Sequence, residues 1–175
     1  GSGQELGVRL SYTIQQKPIG IAQGLSIARA FAEGHKIAFI LGDNLFGDNF
    51  KDAVSDFKKQ KQGAKIVIKQ VKDPKRFGVV KFDKTEKKIS NIIEKPKRPP
   101  ANWAVTGLYL YDNRVFDIIK TLKPSARGEY EITDVNNWYV NDGSMQFVKA
   151  KKYWIDAGTF DSLHAANLLL RKTKS

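Results

Sequence analysis

The 175-residue chain carries 30 lysines and arginines against 18 aspartates and glutamates, a formal charge of +12, and 41% of its residues are hydrophobic. That is apolar material for the core of one domain; no run approaches the roughly 20 apolar residues of a spanning helix and no signal-peptide pattern opens the chain, so it reads as soluble and cytoplasmic. With no cysteine and two isolated histidines, His35 and His164, disulfides and thiolate metal sites are excluded, and any metal must be held by oxygen.

Taken in chain order, Val8 to Gln15 alternates apolar and polar residues and predicts a strand. Gly20 to Glu33 places Ile21, Leu25, Ala28 and Phe31 or Ala32 at helical spacing. Lys36 to Leu41 is a short apolar run suited to a buried strand, and it ends in Gly42-Asp43-Asn44. A helix is expected over Phe50 to Gln62 with Ala53, Val54 and Phe57 inward, then a strand over Ala64 to Gln70, the alternating order of an α/β fold. From Phe77 the rhythm shortens to strands at Gly78 to Phe82, Ile89 to Glu94 and Ala104 to Tyr111, a β-rich insertion into the α/β frame. Helices follow at Asn113 to Leu122 and at Tyr130 to Asn141, the second with Ile132, Val135 and Trp138 inward. After a strand at Met145 to Ala150, Trp154 to Thr159 leads into a last helix with Thr159 as N-cap, and the basic tail Arg171 to Ser175 is expected to fray.

The charge favours anionic partners, but the lysines are dispersed, without the paired aromatic and basic residues of a nucleic-acid module, so neither nucleic acid nor membrane is the expected partner. In an open α/β sheet ligands collect beyond the carboxyl ends of strands, which makes Asp43 and Asp156 candidates as well as ordinary turn residues. Two such carboxylates could share one Mg²⁺, a hard cation that also takes phosphate oxygens. Gln15 to Gln23 joins a strand to a helix through Pro18 and Gly20; the Gln15 amide has the donor and acceptor that a pyrimidine edge requires, and Gly20 permits close backbone approach, although an ordinary turn explains both. Glu94-Lys95-Pro96 sets an acceptor for sugar hydroxyls beside a cation for phosphate.

In order, Gly20-Ile21-Ala22-Gln23, Leu41-Gly42-Asp43-Asn44, Phe77-Gly78-Val79-Val80, Glu94-Lys95-Pro96, Val105-Thr106-Gly107-Leu108-Tyr109, the run Arg127 to Asp134 and Trp154-Ile155-Asp156-Ala157-Gly158-Thr159 span nearly the whole chain. This succession resembles the sugar-1-phosphate nucleotidyltransferases of the glucose-1-phosphate thymidylyltransferase type, in their short form. The resemblance implies a Rossmann-like mixed sheet flanked by helices with a β-rich sugar-binding insertion, residues 1–72 belonging to the nucleotide-binding part and 73–175 to the sugar-phosphate part. It implies Asp43 and Asp156 as Mg²⁺ ligands, Gln15 and Gly20 at the thymine base, Gly78, Glu94 and Tyr109 around the sugar, and Lys95 and Arg127 on the phosphates. The implied reaction joins dTTP and glucose 1-phosphate into dTDP-glucose and pyrophosphate, for dTDP-rhamnose-type deoxysugar synthesis, in a homotetramer. The chemistry suits a chain without a side-chain nucleophile, because the attacking phosphate is already an anion and catalysis rests on alignment and charge neutralisation.

One departure from the pattern matters. The family's opening glycine-rich loop, of the form GGxGxRL, and the PK segment after it are absent. The chain is therefore expected to begin after the first βαβ unit, to leave apolar faces of the Val8 and Lys36 strands without a neighbour, and to be inactive alone. A related transferase using UTP, a non-catalytic sugar-nucleotide-binding remnant and a charge-driven nucleic-acid binder remain the alternatives on sequence.

Overall fold

A computed structural model describes residues 1–172. Its centre is β6 (Trp103–Tyr111), the longest strand, buried from Ala104 to Tyr111. A strand covered on both faces must be apolar or small at every position, and this one is nearly so. On one edge it pairs antiparallel with β3 (Ala64–Gln70), which pairs in parallel with β7 (Met145–Lys149). Its other edge is shared: β1 (Ile37–Ile40) runs antiparallel along residues 108–111, while β4 (Gly78–Phe82) meets it at Ala104 and carries β5 (Ile89–Glu94) as a hairpin. These six strands form one mixed sheet, of which the β-rich insertion is a continuation. A two-stranded sheet of β2 (Asn44–Phe46) and β8 (Trp154–Asp156) stands apart from it.

Helices α1 (Ile21–Ser26), α4 (Val115–Thr121) and α5 (Ile132–Asn141) cover one face of the large sheet. Leu25, Ile66, Ile68, Tyr111, Phe116 and Val135 fill the core between them. Phe39, Tyr109, Tyr111 and Tyr139 stack across this core at centroid spacings of 5.8, 5.8 and 5.7 Å. A smaller cluster of Val67, Leu108 and Ala150 with Phe46 and Phe50 packs separately. Helix α3 (Lys51–Lys59) ends where Lys36 Nζ donates to the carbonyls of Phe57, Lys58 and Gln60, a cation satisfying orphan C-terminal acceptors. Among the described residues no helix is long and apolar enough to cross a membrane.

Several expectations need correction. Val8 to Gln15 is not a strand: its alternation is intact, but Val8, Leu10, Tyr12 and Ile14 are exposed. A strand needs a partner for its backbone groups, and apart from bonds of Val8 N and Leu10 N to the Gly3 and Ser2 carbonyls no strand among the described residues pairs with it. For the same reason β1 is paired on one edge only among the described residues, with Ile40 exposed. The helix expected over Gly20 to Glu33 breaks at Ile27 and Ala28 into α1 and a single turn, α2 (Arg29–Ala32), where Ala32 and not Phe31 is the buried residue. In α5 the buried stripe runs Ile132, Val135, Asn136, Tyr139; Trp138 sits at the rim beneath the Arg114 guanidinium, 5.3 Å from its ring centroid. The last helix, α6 (Phe160–Lys172), opens as expected on Thr159, whose Oγ1 accepts from Ser162 N at 3.2 Å. It continues through Arg171 and Lys172, and the rest of the tail, 173–175, lies outside the described residues.

One buried polar hub ties these layers together. Asp112 accepts from Gly63 N at 2.6 Å, Arg114 Nε at 2.9 Å and the Tyr139 hydroxyl at 2.8 Å, joining the end of β6 to β3, α4 and α5. Arg114 N also donates to it at 3.1 Å, and removing a buried carboxylate with four donors leaves donors unpaired. Asp112→Ala is expected to cost about 3 kcal/mol in urea denaturation, whereas Asp117→Ala, which breaks only the exposed pairs to Arg29 and Lys120, should leave the midpoint unchanged within error. Equal losses from both would show that Asp112 is not a hub.

Candidate active site

The start of β4, the end of β5, the middle of β6 and the segment 127–133 enclose a cleft of about 180 Å³ with β8 at its side. Gly78 and Glu94 are register partners across the β4–β5 hairpin. A Cβ on Gly78 would stand 3.1 Å from Thr133 Oγ1 and 3.5 Å from Glu94 Oε2, so the glycine leaves room for the 2.5 Å hydrogen bond that Thr133 donates to Glu94. Lys95 follows immediately, with φ of 41°, a left-handed turn that ends the strand and sets the lysine at the cleft mouth. Tyr109 forms the floor. Burial pushes its hydroxyl pKa up, and the negative charges of Glu94, Asp156 and Asp43 push it further, so it is a neutral hydroxyl at physiological pH.

Arg127 enters from the other side. Its Nε and Nη2 donate to the buried Glu131 at 3.2 and 3.0 Å, Nη2 also meets Glu129 at 2.9 Å, and Glu94 Oε1 lies 3.9 Å away. Ser125 Oγ donates to Glu131 at 2.7 Å. The hydrogen bond to Glu131 dominates in holding the guanidinium charged, reinforced by the three carboxylate charges.

Asp43 and Asp156 come together through the small sheet. Asn44 is the register partner of Asp156, and Ala157 N donates to Asp43 O at 2.8 Å. A Cβ on Gly158 would lie 2.9 Å from Asp156 Oδ1 and 3.3 Å from Asp43 Oδ2, so the two carboxylates flank one glycine. Asn44 sets this arrangement: its Oδ1 accepts from Gly107 N at 2.8 Å and Trp154 Nε1 at 2.6 Å, and its Nδ2 donates to Asp43 Oδ1 at 2.8 Å. The amide lies so close to β6 that a Cβ on Gly107 would meet it at 2.6 Å. Among the described residues no group of three or more acidic or histidine side chains forms a closed metal site.

Of the residues expected from sequence, Gly78, Glu94, Lys95, Tyr109, Arg127 and Asp156 therefore line one cleft, with Asp43 at its edge. Gln15 lies in an adjoining hollow with Thr13, Gly24, Ile27 and Phe39, which shares Ile21 and Leu41 with the cleft. Its amide is engaged locally, donating to Gln23 Oε1 at 2.5 Å. Gly20 lines neither space; at φ of 115° its absent side chain admits the Tyr130 backbone, which a Cβ would meet at 2.6 Å or less. His35 and His164 line neither. Sequence reasoning missed Arg76, Asn44, Glu131 and Thr133. The last two stand in the run whose alternating acids around Arg127 were the available signal.

The nucleotidyl transferase family model matches residues 1–173. The chain belongs to the nucleotidyl transferase family. It is similar to glucose-1-phosphate thymidylyltransferase of Neisseria meningitidis, 45% identical over 169 residues that cover 95% of this chain and 58% of the relative. The corresponding protein of Mycolicibacterium smegmatis is 44% identical over 174 residues, covering 98% and 60%. The crystal structure of a Bacillus anthracis protein assigned as a glucose-1-phosphate thymidylyltransferase, in complex with sucrose, superposes with a TM-score of 0.91 at 50% identity, over 98% of this chain and 69% of that one. A UDP-glucose pyrophosphorylase complexed with UDP-glucose shares the fold at 24% identity and a TM-score of 0.81. The chain thus spans a little under two thirds of the length of the curated relatives it matches.

Two outcomes follow from this geometry. Gly107→Ala should displace the Asn44 amide and destabilise the chain by about 1–3 kcal/mol, with a shift in tryptophan emission as Trp154 loses its acceptor; a variant as stable as the parent, with unchanged emission, would contradict the packing described. Tyr109, Tyr111 and Tyr139 all have raised pKa values, burial being the first cause of each. Above the ordinary value of 10.0 the unfolded chain loses protons that the folded chain keeps, so the unfolded state binds fewer and stability falls as pH rises. Denaturation at pH 8 and pH 11 should show the loss, and tyrosine absorbance should show three phenols titrating only on unfolding.

Proposed function

We propose that the cleft binds a sugar 1-phosphate and that the site performs nucleotidyl transfer of the glucose-1-phosphate thymidylyltransferase type. The observation that carries this reading is the meeting, in one small cleft, of a fixed hydroxyl acceptor, cationic side chains and a facing pair of carboxylates. Glu94, oriented by Thr133 and given space by Gly78, would accept from sugar hydroxyls over the neutral Tyr109. Lys95 would meet the phosphate, with Arg127 beside it through Nη1, the guanidinium nitrogen that no carboxylate occupies among the described residues. The adjoining hollow would take the base against Gln15, with Gly20 fixing the turn that leads to it.

Asp43 and Asp156 fit Mg²⁺: each has one oxygen held by a single N–H donor, from Asn44 and from Gly158, and neither is paired with a cationic side chain among the described residues. Mg²⁺ uses one or two carboxylates and completes its shell with water and substrate phosphates, so the lack of a third protein ligand is no objection. Bound there it would supply positive charge to the reacting phosphates. In the reaction a phosphate oxygen of glucose 1-phosphate attacks the α-phosphorus of dTTP, the bond from that phosphorus to the bridging oxygen breaks, and pyrophosphate leaves with the electron pair. The residues align and neutralise; none needs to take a proton from a nucleophile that is already an anion. On this reading the working protein is a cytoplasmic, homotetrameric enzyme supplying dTDP-glucose for deoxysugars of the dTDP-rhamnose type.

The test is calorimetry of the 175-residue chain with glucose 1-phosphate and Mg²⁺. Binding is expected, weakened about tenfold or more by Glu94→Gln, since a hydrogen bond to a charged acceptor contributes about 1.5–3 kcal/mol, and made independent of Mg²⁺ by Asp43→Asn or Asp156→Asn. A chain that binds no sugar phosphate, or binds it unaffected by these changes, rejects the reading. Pyrophosphate release with dTTP and with UTP, each beside the Asp43→Asn control, then reads turnover and base preference.

A further inference from the structure

Two arginines line the cleft in opposite electrostatic states. Arg127 is bound to Glu129 and Glu131 at 2.9 and 3.0 Å and lies near Glu94, so its charge is already offset from three sides. Arg76 also lines the cleft, is exposed, and has no hydrogen bond, ion pair or ring contact among the described residues. We infer that Arg76 is a further anion-binding residue of this site, the guanidinium whose whole charge is open to a bound phosphate beside Nη1, the one nitrogen of Arg127 left free among the described residues.

The backbone beneath Arg76 is built to hold it there. It ends a short 3₁₀ turn, Pro74–Arg76, capped by Asp73, whose Oδ1 accepts from Lys75 N at 3.3 Å. Pro74 is buried and accepts from Phe77 N at 3.0 Å, and the Phe77 ring lies 5.0 Å from that of Trp154. Lys95 N donates to Phe77 O at 3.0 Å, so Arg76 and Lys95 leave neighbouring positions at the open end of the β4–β5 hairpin. A turn fixed on both sides loses little freedom when its side chain takes a ligand. Charge-assisted bonds from a guanidinium to phosphate are the strong, bidentate kind. At Arg127 only Nη1 is open to a phosphate; at Arg76 the whole guanidinium is. The ligand class this fits is a phosphoryl or diphosphoryl group whose uncharged part lies deeper, over Glu94 and Tyr109.

The inference rests on the sugar-phosphate reading for its ligand but not for the anion site itself, and the two separate in one experiment. Glucose 1-phosphate and inorganic pyrophosphate are titrated by calorimetry into the full chain and its Arg76→Gln, Arg76→Lys and Arg127→Gln variants. Arg76→Gln should weaken both ligands about tenfold or more without moving the melting temperature, and Arg76→Lys should restore part of the loss. Arg127→Gln should weaken anion binding too but also lower the melting temperature, since the buried Glu131 loses its partner. Unchanged affinity in Arg76→Gln overturns the inference. Pyrophosphate bound through Arg76 with no binding of glucose 1-phosphate sustains the inference and overturns the sugar-phosphate reading; a chain that binds neither overturns both.

Discussion

Everything in this fold hangs on one strand that has no free surface. β6 is bonded along both edges and covered on both faces, so its side chains are buried at every position from Ala104 to Tyr111. Such a strand cannot present a charged group to a ligand without leaving it unpaired in the interior. It contributes instead what a dry centre tolerates: Gly107, which admits the Asn44 amide, and Tyr109, whose hydroxyl is kept neutral by burial and by nearby carboxylates. The charged groups of the site come from elements that end beside β6: Arg76 and Glu94 from the hairpin, Arg127 from the loop before α5, Asp43 and Asp156 from the small sheet.

That division of labour explains the electrostatic character of the cleft. Glu94, Glu129, Glu131 and Asp156 line it together with Arg76, Lys95 and Arg127. The acids are not interchangeable. Glu131 is buried and spends its charge on Arg127 and Ser125; Glu94 is held by Thr133 with only a distant cation; Asp156 faces Asp43. One wall is thus internally neutralised and rigid, and the other keeps cations and carboxylates unmatched. Unmatched charge on a preorganised frame is the condition for binding a polar ligand strongly, because the frame has already borne the cost of assembling it.

The sheet strands Ala64 to Gln70, Gly78 to Phe82 and Ile89 to Glu94 were legible because each is a compact apolar or alternating run bounded by turn residues. Val8 to Gln15 has an equally clear pattern and no strand, since alternation states a preference that only a neighbouring edge can satisfy. The pair β2 and β8 escaped notice because three residues carry no period. In α5, Trp138 is the more apolar candidate, yet the i, i+3, i+4, i+7 stripe buries Asn136 and Tyr139, whose polar atoms find partners in Tyr111 and Asp112. Asp43, Glu94, Lys95, Arg127 and Asp156 were singled out by motif order, and the structure gathers them in or beside one cleft. Asn44 and Glu131 act only through what they touch, and contact is what a linear sequence does not display. Gly20 was legible as a required glycine but for another reason, the passage of the Tyr130 backbone.

The two halves of the site are supported unequally, and this bears on how binding would proceed. Every wall of the cleft comes from elements joined to β6 or packed on the core, so the side proposed for the sugar phosphate is formed before any ligand arrives. The adjoining hollow draws on Thr13 and Gln15, in a segment whose apolar side chains are exposed and whose backbone lies in no sheet. Segments with few buried contacts open locally at low free energy. Ordering this one around a base would consume part of the base's own binding energy, whereas the cleft levies no such charge on a sugar phosphate. On the proposed reading the chain is asymmetric: affinity would reside on the side of Glu94, Lys95 and Arg76, and the base side would gain strength only when the Val8 to Gln15 segment and the edge of β1 left unpaired among the described residues are sheltered.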